Sequence, residues 1–347
     1  METDKFKPKD FVTIIVPVYT NINLAKECIT SLRSIEYPKI LHEIVIVVDK
    51  NASQDVREAL KDVKGIKIVY SKNKGGSAAN RNLGIENADK NSKFYAFTDS
   101  DCVVDKQWLK ELLSSYYKLR EKYGEKICVG GINLIPTRQK GFGRLIGAIE
   151  STFFGGGGTA QSNIIKKEKK VISIPNCNAL YPKDAWLEEK QNEYLIVGQD
   201  GEFNLRLAER KWKFFIAPDA KVWHWRTKTA KHFIRRMYNY GIASADVIKL
   251  HPHAIKSRWY AVIVALFTLY IFSAPFILFF TELILLKNVI IATLLTYIII
   301  LLITTLQVMM STKMFLSLLT PFILFLQHIL YGLGFIKGIL SVRLNNF

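Results

Sequence analysis

The sequence predicts an α/β domain with a mostly parallel sheet, followed by helices that cross a membrane. Between residues 11 and 220, short apolar runs alternate with segments whose apolar residues recur at helical spacing. This alternation is typical of a parallel sheet covered by helices. From about residue 257 the composition becomes strongly apolar, in stretches long enough to span a bilayer.

Four strands and four helices are expected to alternate in the first part of the chain. The strands are VTIIVPVY (12–19), EIVIVVD (43–49), IKIVY (66–70) and KFYAFTDSD (93–101). The helices are LAKECITSLRSI (24–35), DVREALKDV (55–63), the glycine-led NKGGSAANRNLGIENA (73–88) and WLKELLSSYYKLREKYG (108–124). Ligands of such sheets bind beyond the carboxyl ends of the strands. We therefore expect Asp49 and Asp99, which close two strands, to converge on one crevice.

Three apolar segments near the C-terminus contain no Asp, Glu, Lys or Arg, namely 259–280, 289–308 and 314–336. We divide the chain into a domain at 1–245, a basic juxtamembrane segment at 246–258 and a transmembrane region at 259–340. Basic residues directly before the first segment place the large domain in the cytoplasm by the positive-inside rule, in a multi-pass protein of the plasma membrane. For the third segment a kinked or re-entrant path is a second interpretation, because it contains Pro321, Gln327 and Gly332.

The charge and the cysteines restrict the class of protein. Lys and Arg number 48 against 30 Asp and Glu, a formal charge of +18, which suits an anionic partner. The basic residues crowd 206–258, before the apolar region, so a membrane surface is favoured over nucleic acid. The four cysteines are scattered singly, which predicts reduced thiols without zinc or disulfides. The charged N-terminus METDKFKPKD lacks the apolar region of a signal peptide.

Two carboxylates, Asp99 and Asp101, stand one residue apart at the end of the fourth strand. Both can face one site if the chain bends there, and a hard cation such as Mg²⁺ or Mn²⁺ then removes their mutual repulsion. A solvated surface turn produces the same pattern. The spacing by itself does not decide between these interpretations.

Several blocks together resemble inverting glycosyltransferase family 2. They are VTIIVPVYT, EIVIVVDKNASQD, NKGGSAANRNLGI, FYAFTDSDCVVDKQWL and VGQDGEFNLRLAERKWKFFIAPDAKVWH, in the family's order, within residues 11–245. The resemblance implies a GT-A fold, a nucleotide-activated sugar as donor and a place among membrane-anchored enzymes of glycan biosynthesis. The Gln-x-x-Arg-Trp signature of processive members is absent from the segment before the membrane, so the addition of a single sugar is expected.

The resemblance implies roles on the donor side of the site. Asp49 matches the carboxylate that reads the nucleotide base, although Lys50, Asn51 and Ala52 replace the usual Asp-Gly-Ser continuation; the alternative is a structural acid at a strand end. Arg81 matches a nucleotide-binding residue, with a plain surface residue as the alternative. The residues expected to bind the donor, a UDP- or GDP-sugar, are Pro17, Tyr19, Asp49, Arg81 and Asp99. The metal ligands are Asp101 and Asp99, holding Mg²⁺ or Mn²⁺.

The same resemblance implies a general base at Asp200, where Gln199 replaces the acid that usually precedes it. Glu202 is the competing carboxylate, and a helix cap is the structural alternative for Asp200. Acceptor or phosphate binding is assigned to Asn178, Gln199, His224, Arg235 and Arg236. The alternative for His224 is a purely structural role. The alternative for Arg235 and Arg236 is binding of lipid head groups.

A last segment, residues 141–167, combines a helix-like apolar pattern with four glycines, Gly155–Gly158. An interfacial amphipathic helix near a lipid-borne acceptor is the preferred interpretation, and a core helix with a loose loop is the alternative.

The function predicted from these residues is metal-dependent, inverting transfer of one sugar to a lipid-linked or polyprenyl acceptor. Two other interpretations stay open: a polyprenyl-phosphate glycosyl synthase, and a non-catalytic membrane protein that only binds a nucleotide.

Overall fold

The structure is a computed structural model that describes residues 6–19, 21–61, 63–72, 75–156, 165–226 and 229–341. Parts of two predicted features, Asn73 and Lys74 of the glycine-led turn and Gly157 and Gly158 of the glycine run, lie outside these residues. The chain forms two compact units. The first comprises Met1–Pro136 and Ala160–Trp225, and the second comprises Thr137–Thr159 and Arg226–Phe347.

Nine strands occur within the described residues: β1 (Val12–Val18), β2 (His42–Val48), β3 (Lys67–Tyr70), β4 (Phe94–Thr98), β5 (Cys102–Val104), β6 (Ile127–Leu134), β7 (Lys169–Val171), β8 (Asn178–Pro182) and β9 (Lys213–His224). The described residues also form twelve α-helices: α1 (Ile22–Arg33), α2 (Gln54–Lys61), α3 (Ser77–Glu86), α4 (Trp108–Tyr123), α5 (Gly141–Glu150), α6 (Phe153–Gly156), α7 (Lys183–Glu188), α8 (Gln199–Glu209), α9 (Ala230–Leu250), α10 (Trp259–Phe280), α11 (Ile284–Thr312) and α12 (Thr320–Leu340).

The first unit is built on one sheet with the strand order β3-β2-β1-β4-β8-β6-β9-β5, and β7 pairs with β9. The four strands predicted from the sequence, β1 to β4, are parallel, with Val12 opposite His42 and Phe94. The later strands make the sheet mixed, because β8 runs antiparallel to both β4 and β6. The prediction of an α/β domain is therefore confirmed, but the sheet is mixed, with β1 to β4 parallel and a further parallel pair formed by β6 and β9.

Burial on both faces explains why these strands read as continuous apolar runs rather than as alternating patterns. All seven residues of β1 are buried. Successive side chains point to opposite faces: Ile14 and Ile46 belong to one apolar cluster, while Ile15 and Val47 belong to the other. The sheet thus has a hydrophobic core on each side, which fixes the strand ends as rigid supports.

The second unit contains α5, α6 and α9–α12. Three segments are long and apolar enough to span a membrane, Trp259–Phe280, Ile284–Thr312 and Phe315–Leu340, as the sequence predicted. Pro321 lies in the first turn of α12, where proline is tolerated, and the helix continues unbroken to Leu340. The alternative of a kinked third segment therefore has no support in the helix itself.

Helix α9 packs along α12 through glycines. A methyl group on Gly241 would lie 2.0 Å from the carbonyl oxygen of Tyr331, and one on Gly334 would lie 2.0 Å from that of Tyr238. Such close backbone contact between helices requires small residues.

Helix α5 buries its apolar face within the second unit. Leu145, Ile146 and Ile149 pack in one cluster with residues of α9, α11 and α12, among them Phe233 and Leu324. This burial favours the alternative of a core helix over the preferred interpretation of an interfacial amphipathic helix near a lipid-borne acceptor, because other helices of the unit cover the apolar face of α5.

Candidate active site

The carboxyl ends of β1, β2 and β4 bring four of the predicted residues together. Tyr19, Asp49 and Asp99 each directly follow one of these strands, and Arg81 lies on α3. Burial raises the pKa of Tyr19; Arg81 lowers this pKa, and the carboxylates of Asp99 and Asp49 raise it. Pro17, the fifth predicted donor residue, lies within β1 opposite Val47.

Asp49 is buried and holds the turn at the start of α3. One carboxylate oxygen accepts a hydrogen bond from the backbone N–H of Asn51 at 2.8 Å. The other accepts from the backbone N–H of Gly76 and the side-chain amide of Asn80, each at 2.8 Å. Burial by itself raises the pKa of Asp49, but these hydrogen bonds lower it below the ordinary value. Gly75 must be small, because a methyl group there would lie 3.1 Å from both carboxylate oxygens of Asp49 and 2.9 Å from the Asn51 amide nitrogen.

Arg81 and Asp99 form an ion pair at the strand ends. Nη2 of Arg81 lies 2.6 Å from Oδ1 of Asp99, and the side chains are 6% and 30% exposed. Burial by itself lowers the pKa of Arg81, but Asp99, Tyr19 and Asp200 raise it. Nε of Arg81 is buried and has no hydrogen-bond partner among the described residues. The guanidinium therefore keeps a donor that can serve an anionic ligand.

Asp101 and His224 meet because β5 and β9 pair antiparallel, with Cys102 opposite His224. Nε2 of His224 lies 3.3 Å from Oδ1 of Asp101. Burial by itself lowers the pKa of His224, but Asp101 and the nearby Cys177 raise it well above the ordinary value. Burial raises the pKa of the Cys102 thiol, which therefore stays neutral.

The Asp101–His224 pair fits a divalent cation. The ligand atoms of Asp101, Cys102 and His224 lie within 4.8 Å of one another. The neutral thiol of Cys102 is a poor ligand for Mg²⁺ or Mn²⁺, so one carboxylate oxygen and one imidazole nitrogen remain. A cation bound there would displace the proton that Asp101 stabilises on His224. Two protein donors leave positions for phosphate oxygens and water, as magnesium sites usually do. Asp99, the other predicted metal ligand, is instead paired with Arg81.

Asp200 lies in the first turn of α8, behind Gly198, which adopts a left-handed conformation with φ of 80°. Its charge raises the pKa of Arg81, so Asp200 lies within electrostatic range of the Arg81–Asp99 pair. Glu202, the competing carboxylate, is buried and bonded to Arg206, with Oε1 2.7 Å from Nε. Gln199 donates a hydrogen bond to the carbonyl of Ile196 at 2.7 Å, which holds the loop before α8.

The structure gives three of the predicted acceptor residues structural partners. The Asn178 amide donates to the carbonyls of Ile132 and Ala220, at 3.1 and 3.0 Å, and accepts from Nε1 of Trp108 at 2.8 Å. Asn178 is fully buried and its amide is used within the sheet, so this side chain is not available to bind an acceptor. Gln199 serves the loop described above.

Arg235 and Arg236 belong to the second unit, on α9. Arg236 pairs with Glu150 of α5, whereas Arg235 is exposed. Neither the pairing of Arg236 nor the saturation of Asn178 could be found from local sequence signals, since each depends on a residue far away in the chain.

Comparisons with known proteins show which family and fold this chain resembles. Residues 13–155 match the family Glycosyl transferase family 2. The dolichyl N-acetyl-alpha-D-glucosaminyl phosphate 3-beta-D-2,3-diacetamido-2,3-dideoxy-beta-D-glucuronosyltransferase of Methanococcus voltae is 26% identical over 348 residues, covering 96% of this chain and 98% of that protein. The glycosyltransferase AglE of Haloferax volcanii is 33% identical over 110 residues, covering 30% of this chain and 35% of that protein.

A solved structure shows the same fold. The mannosyltransferase PcManGT from Pyrobaculum calidifontis, in complex with GDP-Man and Mn²⁺, superposes with a TM-score of 0.56 at 15% identity, covering 96% of this chain and 91% of that one. Residues 13–155 therefore match glycosyl transferase family 2, and the chain has the GT-A fold of glycosyltransferases.

Proposed function

We propose that the protein is an inverting, metal-dependent glycosyltransferase that moves one sugar from a nucleotide-sugar donor to a hydroxyl group of a lipid-linked acceptor. The observation that carries this proposal is the meeting, at one edge of the sheet, of the Arg81–Asp99 pair, the Asp101–His224 pair and Asp200. These groups supply the three requirements of the reaction: a grip on the diphosphate, compensation of its charge, and a proton acceptor.

On the donor side, Arg81 offers its free Nε–H to the nucleotide diphosphate, and Asp99 holds the guanidinium in place. Tyr19 lies beside them. Asp49 stays the predicted reader of the base, held in position by its three N–H donors. A UDP- or GDP-sugar is the proposed donor, since the solved relative of the same fold carries GDP-Man.

Asp101 and His224 are the proposed ligands of the cation. The mixed oxygen and nitrogen donors favour Mn²⁺, the ion in the solved relative, over Mg²⁺, which prefers oxygen alone. When bound, the cation supplies positive charge that stabilises the leaving nucleoside diphosphate.

Asp200 is the proposed general base. Inversion at the sugar carbon requires a base that takes the acceptor proton on the face opposite the leaving group. Glu202 is buried against Arg206, whereas Asp200 forms no ion pair among the described residues. Of the two carboxylates in the first turn of this helix, Asp200 is therefore the one that is able to accept a proton.

A sugar hydroxyl is proposed as the acceptor, on a carrier in which a phosphate links that sugar to a polyprenol. The Methanococcus voltae relative acts on a dolichyl phosphate-linked N-acetylglucosamine, and its similarity to this protein extends over almost the whole length of both chains. A polyprenyl-phosphate synthase attacks with an oxygen that is already anionic and needs no base, so Asp200 favours the hydroxyl acceptor.

The proposed location is the plasma membrane, which the three apolar helices cross with the sheet domain on the cytoplasmic side. Lys249, Lys256 and Arg258, next to the first span, support this orientation.

The test is a transfer assay with the full chain in liposomes, dolichyl phosphate-linked N-acetylglucosamine, Mn²⁺ and a panel of UDP- and GDP-sugars. Asp200→Asn should lower kcat by about 10²- to 10⁴-fold, the usual contribution of a general base. Glu209→Gln, in the last turn of the same helix, is the matched control and should keep full activity. Full activity of Asp200→Asn, or transfer to polyprenyl phosphate alone, would overturn the proposal.

A further inference from the structure

Two polar side chains occupy the middle of the third candidate span. Gln327 and His328 are the central residues of the 26-residue segment Phe315–Leu340, whose mean hydropathy peaks at 1.7. Both lie on α12, at least seven residues from its nearer end. At 1.5 Å per residue, that is about 10 Å from the end of the helix. Polar side chains at such a depth need partners, because the bilayer core offers no water.

The partners of these side chains are backbone carbonyls of α6. Nε2 of Gln327 donates to the carbonyl of Gly155 at 2.6 Å, and Nε2 of His328 donates to that of Phe154 at 3.1 Å. Nδ1 of His328 accepts from the hydroxyl of Tyr297 at 2.9 Å. This pattern suits a neutral imidazole that donates through one nitrogen and accepts through the other.

Tyr297 and Phe267 place the same junction at mid-depth on the other two helices. Tyr297 lies near the centre of α11, 13 residues from its first residue, Ile284. Phe267 of α10 packs against both Tyr297 and His328, with ring centroids 4.6 and 6.3 Å apart. Since all three candidate spans converge on His328, the contact between His328 and α6 lies at the depth where the spans are farthest from water.

Gly155 and Gly156, the two described glycines of the α6 turn, both have hydrogen-bond acceptors for their backbone N–H groups. The N–H of Gly155 donates to the hydroxyl of Thr152 at 3.1 Å, and the N–H of Gly156 donates to the Thr152 carbonyl at 2.9 Å. Gly155 fits only without a side chain, since a methyl group would lie 2.0 Å from the carbonyl oxygen of Ile149. These two N–H groups, together with the carbonyls of Phe154 and Gly155 that α12 bonds, thus meet the condition that hydrocarbon imposes on an embedded segment.

The outward side of the turn is aromatic. Phe153 is 64% exposed and Phe154 is 40% exposed, and their rings are in contact with each other. An exposed phenylalanine pair beside the centre of three apolar spans matches hydrocarbon better than water.

We propose that Phe153–Gly156 is embedded in the hydrocarbon layer as a fourth membrane element, held there by Gln327 and His328, with Phe153 and Phe154 against lipid chains. Residues 153–156 therefore dip into the membrane although they are too short to cross it. This inference does not depend on the proposed donor or acceptor.

The test is nitroxide accessibility in liposomes of phosphatidylcholine. The four native cysteines are buried, so a label reports the introduced site. Labels at Phe153→Cys, at Ile299→Cys on α11 as the lipid reference and at Ile40→Cys as the aqueous reference are compared for collision with oxygen and with a water-soluble nickel chelate. Phe153→Cys should match Ile299→Cys, with nickel collision about tenfold lower than at Ile40→Cys, because the hydrocarbon core excludes polar solutes.

Nickel accessibility of Phe153→Cys equal to that of Ile40→Cys would overturn the proposal. Dipolar broadening between labels of two copies would also overturn it, because a second chain and not lipid would then cover the pair. The joint substitution Gln327→Leu, His328→Leu should release the turn and raise nickel accessibility at Phe153→Cys several-fold. Gln307→Leu, the same change on the exposed face of α11, is the matched control and should leave it unaltered.

Discussion

The substitution Asp49→Asn tests how the buried carboxylate supports the donor side of the site. The asparagine keeps one oxygen, which still accepts from the N–H of Asn51. Its new NH₂ group faces two other donors, the N–H of Gly76 and the amide of Asn80. The oxygen of Asn80 has no hydrogen-bond partner among the described residues, so a turn of that amide gives the new NH₂ an acceptor.

One buried donor, the N–H of Gly76, then stays unpaired, and such a group costs about 1–3 kcal/mol. We therefore expect the free energy of unfolding of the first unit to fall by about 2 kcal/mol. The first unit has roughly 200 residues, and for a domain of that size about 2 kcal/mol corresponds to a Tm lower by about 4–8 °C.

The assay is thermal unfolding in detergent, followed with a dye that becomes fluorescent on reaction with thiols. All four cysteines are buried and belong to the first unit, so the signal reports the sheet domain and not the apolar helices. Asp55→Asn, at an exposed position of α2, is the control and should shift the Tm by less than about 1 °C. A Tm of Asp49→Asn equal to or above that of the native protein would refute the reasoning, because the carboxylate would then not stabilise the fold.

Four further outcomes follow from the same geometry. The stability gap between the native protein and Asp49→Asn should be constant above about pH 4 and should shrink below it, since a lowered pKa contributes stability that is lost as the carboxylate takes up its proton; a gap that grows in acid contradicts this. His224→Asn should raise the Mn²⁺ concentration for half-maximal transfer by about 10- to 100-fold, as measured by titration, and an unchanged value removes His224 from the cation site. Arg81→Lys should raise the donor KM by about tenfold, because an ammonium lacks the planar fork of donors; equal KM values exclude the proposed grip. Gly131→Ala should destabilise the sheet domain by about 1–3 kcal/mol in the thiol assay, since its methyl group would lie 1.9 Å from the carbonyl oxygen of Ala220, and a native Tm would show that the strands can separate there.

The strand ends of the site could be predicted because they depend on short-range patterns. Buried apolar runs mark β1, β2 and β4, and parallel strands end at one edge, so Asp49 and Asp99 were expected near one another. The three apolar helices were equally visible, because length and composition suffice for them. For these features the local sequence and the fold carry the same information.

The pairings across the sheet could not be predicted in this way. His224 comes beside Asp101 only because β5 pairs antiparallel with β9, more than a hundred residues later in the chain. Asp49 accepts hydrogen bonds from Gly76, directly before α3, and from Asn80 on α3, 27 and 31 residues away. Gln327, with Pro321 and Gly332, suggested a kinked or re-entrant path for the third apolar segment, but Gln327 and its neighbour His328 bond to α6 instead. Each of these contacts depends on tertiary register, which no periodicity in the sequence encodes.

Two carboxylates on α8 illustrate how environment divides roles between similar side chains. Glu202 is buried and bonded to Arg206, which also pairs with Glu189 before the helix. Breaking such a buried pair leaves an uncompensated charge, so this network fixes the helix firmly in the sheet domain. Asp200 lies on the first turn of the same helix, partly exposed and without an ion pair among the described residues. The network therefore positions a carboxylate that it does not neutralise, which is the arrangement a proton acceptor requires.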